Sequence, residues 1–462
     1  MARDWASSVD LHVELSGPDG RRSALERALR DAIRDGRLVR GDRLPSSRAL
    51  AADLGVARGT VTDAYAQLTA EGWLVARQGA ATTVAESAGR EVPRPVMTAV
   101  PARPRHDFKP GSPDLSSFPR RTWASALRQV LRTMPDADLG YGDPGGHPRL
   151  RSALAAYLGR VRGVVTDADH LMACSGWSQS LDLTCRVLRA RGVTAIGMED
   201  PCIPHYRAAV RGAGLEVVPL PVDDDGARFD DLSGVGAVVL TPAHQYPSGA
   251  TLAPDRRAAA VAWARATGGL VIEDDYDGEL RYDRQPVGAL QALDPEHVVY
   301  VGTAAKSLAP GLRLALMAVP GALRDELWEV KHLADRHTSV LEQLTLAELI
   351  DSGAYDRQLR RARIKYRARR DLLLDTLAGA VPHLAPSGIA AGLHVVLDLE
   401  GRPESPVVEG LLARQVAVGA LGPAFHAPVP DRTGLVVGYG TPAEHAFPAA
   451  LDALVTGLAA LT

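Results

Sequence analysis

Residues 300–320 read Tyr-Val-Gly-Thr-Ala-Ala-Lys-Ser-Leu-Ala-Pro-Gly-Leu-Arg-Leu-Ala-Leu-Met-Ala-Val-Pro, two β-like apolar runs around a polar turn that carries Lys306. Lysine stands at only four positions, Lys109, Lys306, Lys331 and Lys365, and arginine supplies the remaining positive side chains. Arginine stays protonated, whereas a lysine amine in a partly desolvated pocket can lose its proton and add to a carbonyl as a Schiff base. Taken alone, Lys306 reads more readily as a surface lysine on a loop; its neighbours change that.

Thr303 lies three residues before the lysine and Arg313 seven after it, a hydroxyl and a guanidinium that could hold a phosphate while the amine holds an aldehyde. Upstream, residues 268–277, Gly-Gly-Leu-Val-Ile-Glu-Asp-Asp-Tyr-Asp, read as a buried strand running into a carboxylate-rich loop with a tyrosine. A pyridine nitrogen needs a carboxylate to stay protonated, and a ring hydroxyl needs a donor such as a phenol. Together these resemble the pyridoxal 5'-phosphate site of the class I aminotransferase fold. The resemblance implies that Lys306 forms the internal aldimine, Asp274 pairs with the pyridine nitrogen and Tyr276 reaches the ring oxygen.

Two further stretches join this set. Gly176-Trp177-Ser178-Gln179 opens a helix after a short segment ending in Ser175, and a helix start is a seat for phosphate, with Ser178 and the Trp177 backbone as candidates. Tyr141-Gly142-Asp143-Pro144-Gly145-Gly146 resembles the aminotransferase segment whose tyrosine reaches the phosphate of the neighbouring subunit, which implies a homodimer with a shared site. Thr241-Pro242-Ala243-His244-Gln245-Tyr246-Pro247-Ser248-Gly249 stands where aminotransferases have an Asn-Pro-Thr-Gly loop; Tyr246 replaces the asparagine, leaving His244 or Gln245 to compensate.

The chain has 462 residues, 46% of them apolar and 23% charged, which predicts a globular protein of about three domains. A net charge of -3 excludes a surface basic throughout, so any nucleic-acid contact is local. Cys174, Cys185 and Cys202 make no disulfide framework, and Cys202 with His205 is too small a set for a metal site, so the cysteines read as reduced and buried. No leader-like segment and no apolar run of about 18 residues is read, and the expected compartment is the cytoplasm, with no membrane partner.

The first module spans about residues 10–84. Leu25, Leu29, Ala32 and Ile33 recur at helical spacing within residues 23–35, and Gly36 stops that helix. Ser46 or Ser47 can cap a second helix carrying Leu50 and Leu54, which Gly55 ends. A third, from about residue 58 to 71, has Val61, Ala64, Tyr65 and Leu68 on its core face and Arg58, Gly59, Thr60 and Thr62 in its exposed first turn, where a helix entering a major groove places its readers. Two short strands around a glycine turn follow. Residues 21–84 hold eleven arginines against seven carboxylates, the modest excess that a local phosphate-binding face needs. A helical docking module with solvated arginines is the plainer alternative.

Leu44-Pro45-Ser46-Ser47-Arg48, Ala51-Ala52-Asp53-Leu54-Gly55-Val56, Arg58-Gly59-Thr60-Val61 and Glu71-Gly72 resemble the GntR-type winged helix. That resemblance implies that Ser46 and Arg48 contact DNA backbone or base edge, that Arg58 and Thr60 begin the recognition helix, and that Gly79 forms the wing tip. Two departures, Ala57-Arg58-Gly59-Thr60 in place of Ser-Arg-Asn-Thr and Ala81 in place of the second wing glycine, bear on sequence preference. Residues 85–106, with Pro93, Pro95, Pro101 and Pro104, read as a semi-extended linker.

From residue 107 to 462, apolar runs alternate with helical stretches, which predicts an α/β layer fold with a mostly parallel sheet in a large part, about 135–335, and a smaller α+β part, about 336–462. A winged helix-turn-helix, a linker and an α/β fold of the pyridoxal-phosphate-dependent transferase type I, in that order, resemble the MocR subfamily of GntR regulators. This implies a transcriptional regulator that binds a double-stranded operator, holds the cofactor on Lys306, and answers to a small effector, either the cofactor itself or an amine or amino-acid-like ligand. The alternative is a working aminotransferase with an appended DNA module; the regulator reading allows at most slow half-reactions, and a third reading is a scaffold whose cofactor site has decayed. Three departures bear on the effector: Ile203 stands where the family stacks an aromatic ring on the pyridine, a loss of roughly 1 kcal/mol; Val436 stands where aminotransferases place the carboxylate-clamping arginine; and Ala305 replaces a serine.

Overall fold

Apolar residues at helical spacing make the first three helices. In a computed structural model that describes residues 20–77, 80–86, 104–282 and 287–462, α1 (Gly20–Arg34) buries Leu25, Leu29, Ala32 and Ile33. The second, α2 (Ser47–Leu54), starts at Ser46, whose Oγ accepts the Ala49 amide at 3.2 Å, and stops at Gly55 in the left-handed region at φ 63°. The third, α3 (Arg58–Ala70), buries Val61, Ala64, Tyr65 and Leu68 against the other two. Ala57 at its start gives no side-chain cap. Strands β1 (Leu74–Val75) and β2 (Thr83–Val84) then pair antiparallel, Leu74 opposite Val84. Arg30 grips Glu71 through two bonds of 2.8 and 2.7 Å, tying α1 to the end of α3. This is the expected winged-helix order. Gly79 and residues 87–103 of the linker lie outside the described residues.

Residues 102–462 form a second compact unit. It runs through β3 (His106–Asp107), α4 (Arg120–Thr133), α5 (Pro148–Arg162), β4 (Leu171–Cys174), α6 (Trp177–Ala190), β5 (Ala195–Asp200), α7 (Pro204–Gly212), β6 (Glu216–Asp223), β7 (Gly226–Ala227), β8 (Ala237–Leu240), α8 (Pro254–Thr267), β9 (Leu270–Asp275), β10 (Val298–Thr303) and β11 (Ala315–Ala318). Then come α9 (Gly321–Asp335), α10 (Val340–Asp351), α11 (Ala354–Ala380), β12 (Pro386–Ser387), β13 (His394–Asp398), α12 (Glu404–Ala413), β14 (Val416–Ala417), β15 (Gly419–Ala420), β16 (Gly434–Gly438) and α13 (Phe447–Leu461).

The large sheet has the order β4-β11-β10-β9-β8-β5-β6-β7. From β10 across to β6 the neighbours are parallel, while β11 runs antiparallel to both β10 and β4. Parallel strands covered on both faces read as continuous apolar runs, which is why these strands are visible in the sequence. One strand escapes that reading: β4, Leu-Met-Ala-Cys, is wholly buried but only four residues long. The smaller sheet, β12-β13-β16-β15, is antiparallel.

The parallel strands carry their functional side chains at their carboxyl ends, where an open α/β sheet forms its crevice. Asp274 and Asp275 end β9, and Thr303 ends β10. The two aspartates point to different partners. Asp275 binds Arg162 at 2.6 and 3.1 Å and accepts the Tyr300 hydroxyl at 2.6 Å, with both ionic side chains at most 4% exposed. Arg162 in turn donates to the Val287 carbonyl at 2.8 Å. Removing the guanidinium would leave the Asp275 charge buried and unpaired. Arg162→Leu is expected to lower the stability of this unit by about 3–5 kcal/mol; a denaturant titration that follows its own transition, with Arg162→Leu indistinguishable from wild type, would exclude this role for the pair.

Candidate functional site

Lys306 sits in the turn after β10, half-buried, with its Nζ donating to the Gly111 carbonyl at 2.5 Å. Burial lowers the amine's pKa below that of ordinary lysine, and the charges of Asp277 and Asp274 oppose the shift. Asp274 is 3% exposed and its Oδ2 has no hydrogen-bond partner. Burial pushes its carboxyl well above the usual range, against the pull of Lys306. A buried, unpartnered carboxylate oxygen beside an amine is an acceptor held ready for a cationic N–H.

Tyr276 follows one residue after β9. Its hydroxyl lies 3.1 Å from His244 Nδ1, and the same nitrogen lies 2.8 Å from Asp277 Oδ2. An ionised carboxylate only accepts, so Nδ1 carries the proton and shares it between the carboxylate and the phenol oxygen. The phenol's own proton is then left to donate elsewhere. Of the two residues that the sequence offers in place of the missing asparagine, His244 lies against Tyr276 and Asp277. Gln245 is engaged elsewhere, its Nε2 donating to the Pro201 and Tyr246 carbonyls at 2.7 Å each and its Oε1 accepting the Ser248 hydroxyl at 2.7 Å. His394, with its ring 5.2 Å from that of His244, carries no signal in the sequence; burial pushes it down to about 3, so it is neutral.

The start of α6 forms the other end. Gly176 has φ 100°, and a Cβ there would lie 2.7–2.9 Å from the Arg313 guanidinium. Arg313, exposed and without a side-chain partner among the described residues, therefore lies directly over the first turn of α6, where the amides of Trp177 and Ser178 have no carbonyl a turn earlier. Ser178 Oγ is 3.4 Å from His205 Nε2. Thr303 differs from the free hydroxyl the spacing suggests: its Oγ1 donates to the Leu314 carbonyl at 3.2 Å and accepts the Ala305 amide at 3.1 Å, so it braces the turn that carries Lys306. Tyr141 does not join the cluster within its own chain; it is 82% exposed, with the Arg336 guanidinium 4.4 Å from its ring centre.

Where the carboxylate-clamping arginine would be, Val436 is 1% exposed and packs with Val396, Leu421, Phe425 and Tyr246. Ile203 immediately precedes α7, and one turn on, Tyr206 lies with its ring 5.3 Å from that of Trp177 and beside Asp274. Cys202 Sγ faces His426 at 3.8 Å rather than His205, and among the described residues no three His, Cys, Asp or Glu side chains group as metal ligands. The donor set thus fits a phosphorylated pyridine aldehyde: a depressed amine, an orphan carboxylate oxygen for a ring N–H, a phenol proton for a ring oxygen, and an unpaired guanidinium over a helix start.

In the winged-helix unit, Ser46, Arg48 and Arg58 are exposed and Thr60 is half-buried at the first turn of α3. Neither Arg48 nor Arg58 has a side-chain partner among the described residues.

Residues 21–84 match the family described as bacterial regulatory proteins, gntR family, and residues 111–425 match aminotransferase class I and II. The HTH-type pyridoxine biosynthesis transcriptional regulator PdxR of Corynebacterium glutamicum is 33% identical over 458 residues, 96% of each chain. The chain belongs to the MocR subfamily of GntR regulators. The probable rhizopine catabolism regulatory protein MocR of Rhizobium meliloti is 34% identical over 370 residues, 75% of each chain. Among solved structures, the Thermus thermophilus α-aminoadipate aminotransferase LysN, complexed with N-(5'-phosphopyridoxyl)-L-leucine, aligns with TM-score 0.68 and 25% identity over 77% of this chain and 92% of its own. As a MocR-type regulator the chain is a DNA-binding transcription factor with an aminotransferase-like domain. Among the described residues no helix is long and apolar enough to cross a membrane.

Gly176→Ala forces the Arg313 guanidinium off the helix start. If Arg313 holds a phosphate there, a charge-assisted bond of about 1.5–3 kcal/mol would be lost and affinity for pyridoxal phosphate would be at least about tenfold weaker, with affinity for the unphosphorylated aldehyde unchanged; equilibrium titration by absorbance compares the two ligands.

Proposed function

We propose that this MocR-type regulator holds pyridoxal 5'-phosphate on Lys306 and alters its operator affinity according to occupancy of that site. Asp274 Oδ2 would accept the ring N–H, Tyr276 would donate to the ring oxygen, and Arg313 with the first amides of α6 and Ser178 would hold the phosphate, with Thr303 keeping the lysine turn in place. Tyr141 would complete the phosphate seat of a second copy in a homodimer. Bound there, the cofactor supplies an aldehyde that condenses with primary amines and a protonated ring that withdraws electrons. The orphan Asp274 oxygen carries this reading, because among the described residues no donor accounts for its buried Oδ2 beside a depressed lysine.

The signal would be the cofactor itself. An α-carboxylate effector would meet Val436 and its apolar neighbours instead of a guanidinium, and would lose the bidentate clamp that orients it. The name of the Corynebacterium relative, which refers to pyridoxine biosynthesis, supports the same reading. On the DNA side, Arg48 and Arg58, with no side-chain partner among the described residues, would offer guanidinia to the operator, and Ser46 and Thr60 hydroxyls beside them. This work would take place in the cytoplasm. Lys306, Asp274 and Tyr276 are also what a transaminase uses, so turnover with a panel of amino acids and keto acids separates the regulator from the enzyme.

The decisive experiment titrates operator affinity with pyridoxal phosphate alone. The expected change is about fivefold or more for wild type, and none for Lys306→Ala, whose visible absorbance band is lost as well. Unaltered operator binding on full occupancy would sink the proposal. Only the neutral amine adds to the aldehyde, so cofactor capture is expected to proceed at pH values below the ordinary lysine range and to slow as pH falls through the depressed Lys306 pKa.

A further inference from the structure

Helix α11 carries eight Arg and Lys residues between Arg357 and Arg370, and the structure divides them into two groups. Some hold the unit together: Arg363 donates to the Glu279 carbonyl at 2.6 Å, Arg367 to that of Tyr282, and Arg369 to the Pro442 carbonyl at 2.8 Å and to Asp114 at 3.0 Å. Arg361 has no such work. It is exposed, has no side-chain partner among the described residues, and faces a cleft of about 540 Å³ between α11 and the first turn of α4.

Arg120 and Arg121 line the opposite wall of this cleft, and Lys365 lines the same wall as Arg361, one turn on. Arg120 leans on the Ser116 and Leu115 carbonyls at 3.3 and 3.5 Å, which leaves its charge unneutralised. Lys365 donates to Asp114 at 3.2 Å and to the Ser117 hydroxyl. Arg121, like Arg361, is exposed and has no partner among the described residues. Glu444 is the one carboxylate in the lining. The chain as a whole carries -3, so four cations converging from two helices run against its general charge. No residue of the Lys306 site takes part in this lining.

We propose that this cleft is a second DNA contact, which takes the sugar–phosphate backbone of the duplex flanking the sequence read by the winged helix. The occupant follows from charge and from the company the cleft keeps: a phosphodiester backbone is the polyanion this transcription factor already meets. Guanidinia free on both walls suit phosphate oxygens, which position a duplex without reading its sequence. The aminotransferase-like unit then touches DNA directly, which gives occupancy of the Lys306 site a route to the operator in addition to the linker.

The test uses full-length Arg121→Ala, Arg361→Ala and the double variant. Equilibrium binding is measured on operator duplexes of about two and about six helical turns, between roughly 50 and 200 mM salt. On the long duplex the double variant is expected to bind roughly tenfold more weakly at low salt, with a slope of log affinity against log salt shallower by about 1–2, close to one for each phosphate no longer neutralised. On the short duplex it should match wild type, and the Arg121→Lys/Arg361→Lys variant should recover the slope. An unchanged thermal melt and cofactor absorbance identify a folded variant. A long-duplex slope that overlays wild type overturns the proposal, as does an equal weakening on both duplexes, which would mean that the winged helix itself was disturbed. A change in sedimentation with an unchanged slope would assign the cleft to an interface between copies, and also overturns it.

Discussion

The buried pair between Arg162 and Asp275 is the interaction on which the site depends. It anchors the last residue of β9 to the end of α5, with Tyr300 of the adjacent strand as a third member. The neighbouring Asp274 is then held buried beside Lys306, Asp277 and Glu199 with one oxygen unpaired among the described residues, although a carboxylate so placed pulls against folding. A buried ion pair adds little net stability compared with an apolar filling, but once present it penalises every arrangement in which one partner is missing. Here it makes the strand end rigid where a ligand needs a rigid acceptor.

Around that strand end the chain assembles two chemistries of opposite character. Toward α6 there is unpaired positive charge: the Arg313 guanidinium over the first amides of the helix. Toward the small sheet there is an apolar wall, with Val436, Val396, Leu421 and Phe425 closing on Tyr246. The two sides thus offer different chemistry, a guanidinium with helix amides on one and a largely apolar surface on the other. Between them, the His244–Asp277 pair holds the Tyr276 phenol in place.

Positive charge on α11 has two origins that composition alone cannot separate. Arg369 and Arg363 are bound to carbonyls and a carboxylate, and tie α11 to the segments packed around it. Arg361 lies on the same helix with its guanidinium free, across a cleft from Arg121. Only the identity of their neighbours distinguishes a strut from a free binding group.

Much is legible in the sequence because the physics involved is local. Serine before a helix and glycine after it set α2, helical spacing sets the cores of α1 and α3, and runs of β-branched residues announce the parallel strands, since each depends on neighbours a few positions away. Lys306, Asp274 and Tyr276 are recognisable because their chemistry is rare in combination. What only the tertiary structure decided involves groups distant in sequence. These are the contact of His244 with Tyr276 and Asp277, the closeness of Arg313 to Gly176, and the division of the α11 arginines. A hydrogen bond between residues thirty or more positions apart leaves no periodic trace, so it becomes visible only once the sheet has brought its strand ends together.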